Sequence, residues 1–325
     1  MRQRLRKILI VFTVLILGVL VWLMNPILRT SQGESLQVSP EKLKNHVLTL
    51  VGKPPYRSSV AWEQMDLAAD YVKAQWTEMG FQVEEQVYDV HGKKARNLIV
   101  TYLAPGVKAD APRVIIGAHY DVCMNLPGAD DNASGVAGLL ELSRLIMEKK
   151  PAIQHRLDLI AYTLEEPPYY DTDWMGSFVH AKAMKEQNIQ VDMMLSLEMI
   201  GYFTDEKNSQ NFPISLLKAS YPTVGNFVAL VGSNSEWPEV RKVKAGMQAM
   251  TGLPIFSINT FSLIPGIDWS DHRSYWNFGY PALMLTDTSY LRNQNYHKET
   301  DTPETLDYAR MAEVVKAAYG AVLVY

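Results

Sequence analysis

Short, strand-like runs rich in apolar residues alternate with stretches of helical period along most of this chain, and that alternation narrows the fold more than any other feature. Strand-like runs fall at 81–90, 97–103, 114–118, 157–164, 193–197, 227–231, 255–259 and 282–285. Helical period fills 61–79, 136–148, 177–187, 239–250 and 308–324. Ser39-Pro40-Glu41 has the form of a helix start, with proline at the first helical position. A run such as VIIGA at 114–118 has no polar face, so it predicts a strand covered on both sides. The expectation is an α/β fold: a mostly parallel mixed sheet with helices on both faces. Such sheets place their sites beyond the carboxyl ends of the strands. The stretch 203–268, rich in Ser, Asn, Pro and Gly, reads as a rim around such a site.

The amino-terminal segment has a different character. RQRLRK at 2–7 precedes an apolar run from Ile8 to Met24 that only Thr13 and Gly18 interrupt, and Pro26, Ile27 and Leu28 extend it. At about 1.5 Å per residue, a helix of this length matches a bilayer core of about 30 Å. Basic residues ahead of the run favour a cytoplasmic amino terminus. Trp22, Leu23 and Met24 stand where a signal peptide would have small residues for cleavage. The reading is a cytoplasmic basic tail at 1–7, a signal-anchor transmembrane helix at 8–28, a polar tether at 29–38 and one domain at 39–325. That arrangement predicts a single-pass protein of the cell membrane whose domain is extracytoplasmic, either periplasmic or extracellular. A cleaved signal peptide is the alternative.

Five of the 31 basic residues precede the first acid, Glu34, which leaves 26 basic against 35 acidic residues in the remainder. An acidic domain lacks the basic face that phosphate contacts require, so no nucleic-acid partner is expected. The single cysteine, Cys123, excludes an intramolecular disulfide. It reads as a small buried apolar residue.

Chemistry-bearing residues recur just past the apolar runs. His119-Tyr120-Asp121 follows 114–118, and Gly128-Ala129-Asp130-Asp131-Asn132-Ala133-Ser134-Gly135 then opens a helix. Glu165-Glu166 follows 157–164, Glu198 follows 193–197, and His297 lies in a loop after 282–285. Alone, each piece is ordinary. A Glu-Glu pair is commonly a solvated face, and Asp-Asp-Asn before a helix is commonly a cap. Together, imidazoles and carboxylates at several strand ends form the donor set that zinc accepts.

With GAHYDV, PGADDNASG, LEE, SLEMIG and YHKETDTPETLDY, the chain resembles the co-catalytic two-zinc aminopeptidase family of peptidase clan MH. That family is of the bacterial leucyl aminopeptidase type, and its relatives include glutamate carboxypeptidase II-like enzymes and glutaminyl cyclases. The resemblance covers about 40–325. It implies two zinc ions per chain: one on His119 and Glu198, one on Glu166 and His297, with Asp131 bridging both. Glu165 would be the general base, Asp121 would orient His119, and the Asp131-Asn132 peptide would be cis. The implied activity is that of a metallo-exopeptidase cleaving peptides from the amino end, with the zinc peptidase domain at 39–325. A glutaminyl cyclase, a carboxypeptidase or dipeptidase, and a non-catalytic binding ectodomain are the alternatives.

Two positions depart from the family pattern. Glu198 stands where the family usually has aspartate, and Pro167-Pro168-Tyr169-Tyr170 replaces a glycine-containing turn, which would stiffen and narrow the pocket edge. His46, His91, His155 and His180 read as surface or structural residues. Asp271-His272 is expected to precede a strand, with a place on the pocket wall as the alternative to a structural role, and Tyr275-Trp276-Asn277-Phe278 to be core. Asp287, Tyr290 and Arg292 are candidates for substrate contact.

Overall fold

The computed structural model describes residues 2–27, 33, 35–261 and 263–325. The end of the expected anchor and part of the tether, 28–32 and 34, lie outside the described residues. In chain order the helices and strands are α1 (Arg2–Met24), α2 (Pro40–Val51), α3 (Trp62–Glu78), β1 (Glu84–Val90), β2 (Lys93–Tyr102), β3 (Arg113–His119), α4 (Gly135–Lys149) and β4 (Arg156–Tyr162). They continue with α5 (Gly176–Glu186), β5 (Val191–Glu198), β6 (Val228–Ser233), α6 (Trp237–Met250), β7 (Ile255–Thr260), α7 (His272–Asn277), β8 (Ala282–Thr286) and α8 (Tyr308–Leu323).

The strands form one mixed sheet in the order β1-β2-β4-β3-β5-β8-β6-β7. The central strands β4, β3, β5 and β8 run parallel to one another, as β6 and β7 do. The antiparallel pairs are β1 with β2, β2 with β4, and β6 with β8. Because side chains alternate along a strand, β3 sends Val114, Ile116 and Ala118 into one core and Ile115 into the other. The first core packs under α2, α3, α4, α6 and α8, and the second under α5 and α7. Burial on both faces is why these strands carry no polar side. Trp76 of α3 is fully buried in the larger core and donates its Nε1 hydrogen to Ser143 Oγ at 2.8 Å. Trp76→Ala is expected to destabilise the fold by about 3–5 kcal/mol, through lost burial and the cavity left behind. Urea denaturation followed by circular dichroism would measure that loss.

Two local features differ from the sequence expectation. The run at 81–90 becomes a strand only from Glu84, and β2 begins at Lys93, because His91 (φ 52°) and Gly92 (φ 82°) close a tight hairpin. Asp271-His272 opens the six-residue α7 instead of leading into a strand. The aromatic residues of that segment pack as a helix face, with Tyr275 fully buried.

Among the described residues no helix is long and apolar enough to cross a membrane, so the fold gives the anchor expected at 8–28 no support. α1 leaves Leu9, Ile10, Phe12 and Leu15 exposed. Its end is tied to the domain by the buried Lys244, which donates to Met24 O at 2.9 Å and Asn25 O at 3.0 Å.

Candidate metal centre

Neighbouring parallel strands end side by side and bring their last residues together. β3 ends on His119 and β5 on Glu198, while β4 ends at Tyr162, three residues short of Glu165. At Leu164 the backbone enters the left-handed region (φ 58°), uncommon for a side-chain-bearing residue. The Glu165 and Glu166 N–H groups then both meet Asp121, donating to its Oδ1 and Oδ2 at 3.1 Å each. Asp121 thus fixes the backbone of the Glu pair, and its Oδ1 also lies 3.5 Å from His119 Nδ1.

Asp131 is presented by a tight turn before α4. Gly128 has φ 58°, and a Cβ there would lie 2.2 Å from Asp131 O, so glycine is required on both counts. The Asp131-Asn132 peptide is cis, in agreement with the resemblance. Asn132 anchors the turn to the end of β5, donating to Leu197 O at 2.8 Å and accepting from Met199 N at 3.1 Å. Asp130 faces the scaffold, where it accepts from Gly201 N and from Asn293 Nδ2.

The carboxylate of Asp131 lies between two imidazoles. Its Oδ1 is 3.5 Å from His119 Nε2, and its Oδ2 is 3.1 Å from His297 Nε2. Glu198 Oε2 lies 3.3 Å from His119 Nε2, and Glu166 Oε2 lies 3.2 Å from His297 Nε2. The longer arm of Glu198 is therefore accommodated, and Ser270 Oγ steadies it with a 2.8 Å hydrogen bond to Oε2. Glu165 Oε2 is 3.9 Å from His119 Nε2. The structure thus gathers His119, Asp131, Glu165, Glu166, Glu198 and His297, with Asp121 behind them. Tyr296 stacks on the His297 ring at 3.9 Å and orients it.

These groups lie close without satisfying one another. His119 Nδ1 and Nε2, His297 Nε2 and Glu166 Oε1 are buried atoms with no directed hydrogen bond. Buried polar atoms are normally paired, so facing, unpaired lone pairs fit a bound cation. One set of three donors, His119, Asp131 and Glu198, lies with its ligand atoms all within 4.8 Å of one another. Imidazole with carboxylate suits zinc. Burial pushes Glu165 well above the usual carboxylate range and Glu166 up to about 8, with neighbouring acids adding to both shifts. Burial opposes the charge of Asp131 too, but His297 and His119 outweigh it and hold that carboxyl low. The excess of negative groups is what divalent cations would balance.

Several contributors were not legible in the sequence. Asp301 accepts from the N–H groups of Asp130 at 2.9 Å and Asp131 at 3.1 Å, fixing the turn that presents Asp131. Its only signal was an acid four residues after His297. Asp301→Ala is expected to weaken metal affinity about 10–100-fold, as loss of ligand-supporting contacts typically does. Titration against a chromophoric chelator would measure it. Asp271 and His272 are buried but lie off the main cavity. Of the three candidates for substrate contact, Tyr290 lines that cavity. Asp287 instead accepts from Tyr202 and Ser289 N–H groups, and Arg292 donates to Phe227 O and Gln210 Oε1.

The cavity has a volume of 390 Å³ and opens beside Asp131, Glu165, Glu166, Glu198 and His297. Pro167 forms part of its edge, and the wall beyond is largely apolar, with Phe212, Tyr221, Phe227, Phe256 and Trp269. The proline pair does not close the site. Such a space takes an organic side chain beside the metal ligands.

The model of peptidase family M28 matches residues 97–322. YfbL, an uncharacterised protein of Escherichia coli, is 38% identical over 320 residues, covering 95% of this chain and 96% of that protein. A probable leucine aminopeptidase of Arthroderma otae is 28% identical over 240 residues, covering 70% of this chain but 56% of that protein. Among solved structures, a glutaminyl cyclase of Bacteroides thetaiotaomicron has a TM-score of 0.66 at 18% identity, covering 89% of this chain and 99% of that one. At that identity the likeness speaks for the fold alone. The family match spans well over half of the chain and includes every residue gathered at the site, so the chain belongs to peptidase family M28 and is a metallopeptidase.

Proposed function

We propose that this protein is a two-zinc aminopeptidase that removes residues from the amino end of peptides. The observation that carries this reading is Asp131, whose two oxygens face His119 and His297 separately. His119, Glu198 and Asp131 would hold one zinc, and Glu166, His297 and Asp131 the other. Bound zinc supplies Lewis-acid polarisation of the scissile carbonyl and of water. Glu165, on the cavity wall, accepts the proton of the attacking water and returns it to the leaving amine. Asp121 keeps the Glu165 backbone in place. The apolar cavity receives the first side chain, and the surrounding acids suit a positively charged free amino group. The acidic balance of the domain argues against a nucleic-acid substrate.

Incubation with a mixed peptide panel, with zinc and separately with a chelator, tests this by mass spectrometry. Zinc-dependent loss of the first residue is expected. Loss of ammonia from Gln-initiated peptides would instead support a glutaminyl cyclase, which the shared fold also accommodates. Trimming from the carboxyl end would support a carboxypeptidase.

We further propose that the segment 8–28 anchors the chain in the cell membrane by a single pass, with residues 39–325 as an extracytoplasmic domain. The basic residues at 2–7 and the exposed apolar side chains of α1 support this. Protease added to intact cells should digest the domain. Its protection, with a surface control cleaved, would contradict the placement.

A further inference from the structure

We infer that Cys123 is an additional ligand of the metal held by Asp131, Glu166 and His297, so that this ion has sulfur, nitrogen and oxygen donors whereas the other has none but nitrogen and oxygen. The inference rests on the two-metal reading proposed above. Its first support is geometric: one ligand atom from each of Cys123, Glu166 and His297 lies within 4.8 Å of the other two. The chain brings the thiol there through the loop after β3. Val122 N donates to Arg57 O at 3.0 Å, and Met124 takes a left-handed backbone (φ 48°), which turns the loop beside the Glu pair. Cys123 is 6% exposed, so its sulfur faces the protein interior.

Two further observations point to a ligand between these groups. Glu166 is 4% exposed, and its Oε1 has no hydrogen-bond partner. A buried carboxylate oxygen left unpaired is costly unless a cation compensates it. Secondly, a separate cavity of 10 Å³ has Cys123, Asp131, Glu166 and His297 in its wall. That is about the space of a single small ion or water. Four donors around a space of one-ion size are an arrangement a tetrahedral zinc accepts.

The chemistry follows from the thiol. The metal–sulfur bond forms as the S–H bond breaks, and the proton leaves to water. A thiolate favours softer ions, so this position should hold zinc more firmly than the all-nitrogen-and-oxygen position beside it. The two ions would then differ in how readily they are lost.

The test uses the full chain in detergent, stripped of metal and titrated with Co²⁺ under reducing, oxygen-free conditions. Wild type should show visible d–d absorption together with a near-ultraviolet sulfur-to-cobalt charge-transfer band. Cys123 is the single cysteine, so the band has one source. Cys123→Ser should keep the visible absorption and the thermal unfolding midpoint of the metal-free chain, lose the near-ultraviolet band, and hold one of its two zinc ions at least about tenfold more weakly against a chelator. Visible absorption without the band in wild type, or unchanged zinc affinity in Cys123→Ser, would overturn the inference and leave the two-metal reading intact. A folded chain that takes up no cobalt or zinc would overturn both.

Discussion

Glu165→Gln is expected to lower kcat about 10²–10⁴-fold while leaving bound zinc and KM close to wild type, the range that loss of a general acid–base group produces. The side chain keeps its size and its place beside His119 but can no longer accept a proton. Asp121 bonds the backbone of Glu165 and not its side chain, so the substitution should leave the turn undisturbed. The sign of the pH dependence is fixed by the same chemistry. Wild-type activity should fall as pH drops through the Glu165 pKa, because the protonated acid cannot take the proton of water. The variant should lack that limb. Steady-state kinetics across pH, with metal content measured alongside, would separate lost chemistry from lost metal. Full turnover by a zinc-loaded Glu165→Gln would remove Glu165 from the mechanism.

The other large effect is expected at Asp131. Asp131→Ala removes the one carboxylate that faces both imidazoles and leaves Glu198 beside His119 and Glu166 beside His297 as the carboxylates that would hold the metals. Both ions should be lost or held far more weakly, and peptidase activity should fall to background. Since Asp131 is also flanked by the Asp301 and Asn132 anchors, the turn itself should survive. Elemental analysis of the folded variant, with circular dichroism as the folding control, would check this. Retention of one ion with wild-type affinity would show that Asp131 serves one metal only.

How much of this could be read from the sequence depended on the kind of signal each residue leaves. His119 and Glu198 stood out because an apolar run ends on each, and a buried parallel strand delivers its last residue to the same edge as its neighbours. Glu165 and Glu166 were found the same way, although the left-handed Leu164 that turns them inward leaves no mark in composition. Asp301 was missed because an acid in a polar loop looks the same whether it meets solvent or two buried N–H groups. Ser270 was missed for the same reason, since a serine supporting a carboxylate has no period or spacing. The hairpin at His91-Gly92 escaped because the usual Asn-Gly signal was absent. α7 escaped because six residues give too short a window for helical period to show. The cavity wall is assembled from loops and from β6, β7 and β8, segments distant in sequence, so no local pattern reports it. The apolar character of 8–28 was plain in the sequence, but membrane insertion is decided by a solvent that the fold does not contain.

If Asp131 joins two metal positions in one catalytic centre, activity must follow the number of zinc ions bound per chain. Native mass spectrometry of the metal-free chain titrated with zinc should reveal two ions bound at saturation, with removal of amino-terminal residues reaching its maximum as the second is taken up. Full activity with one ion bound, or saturation at one, would contradict it.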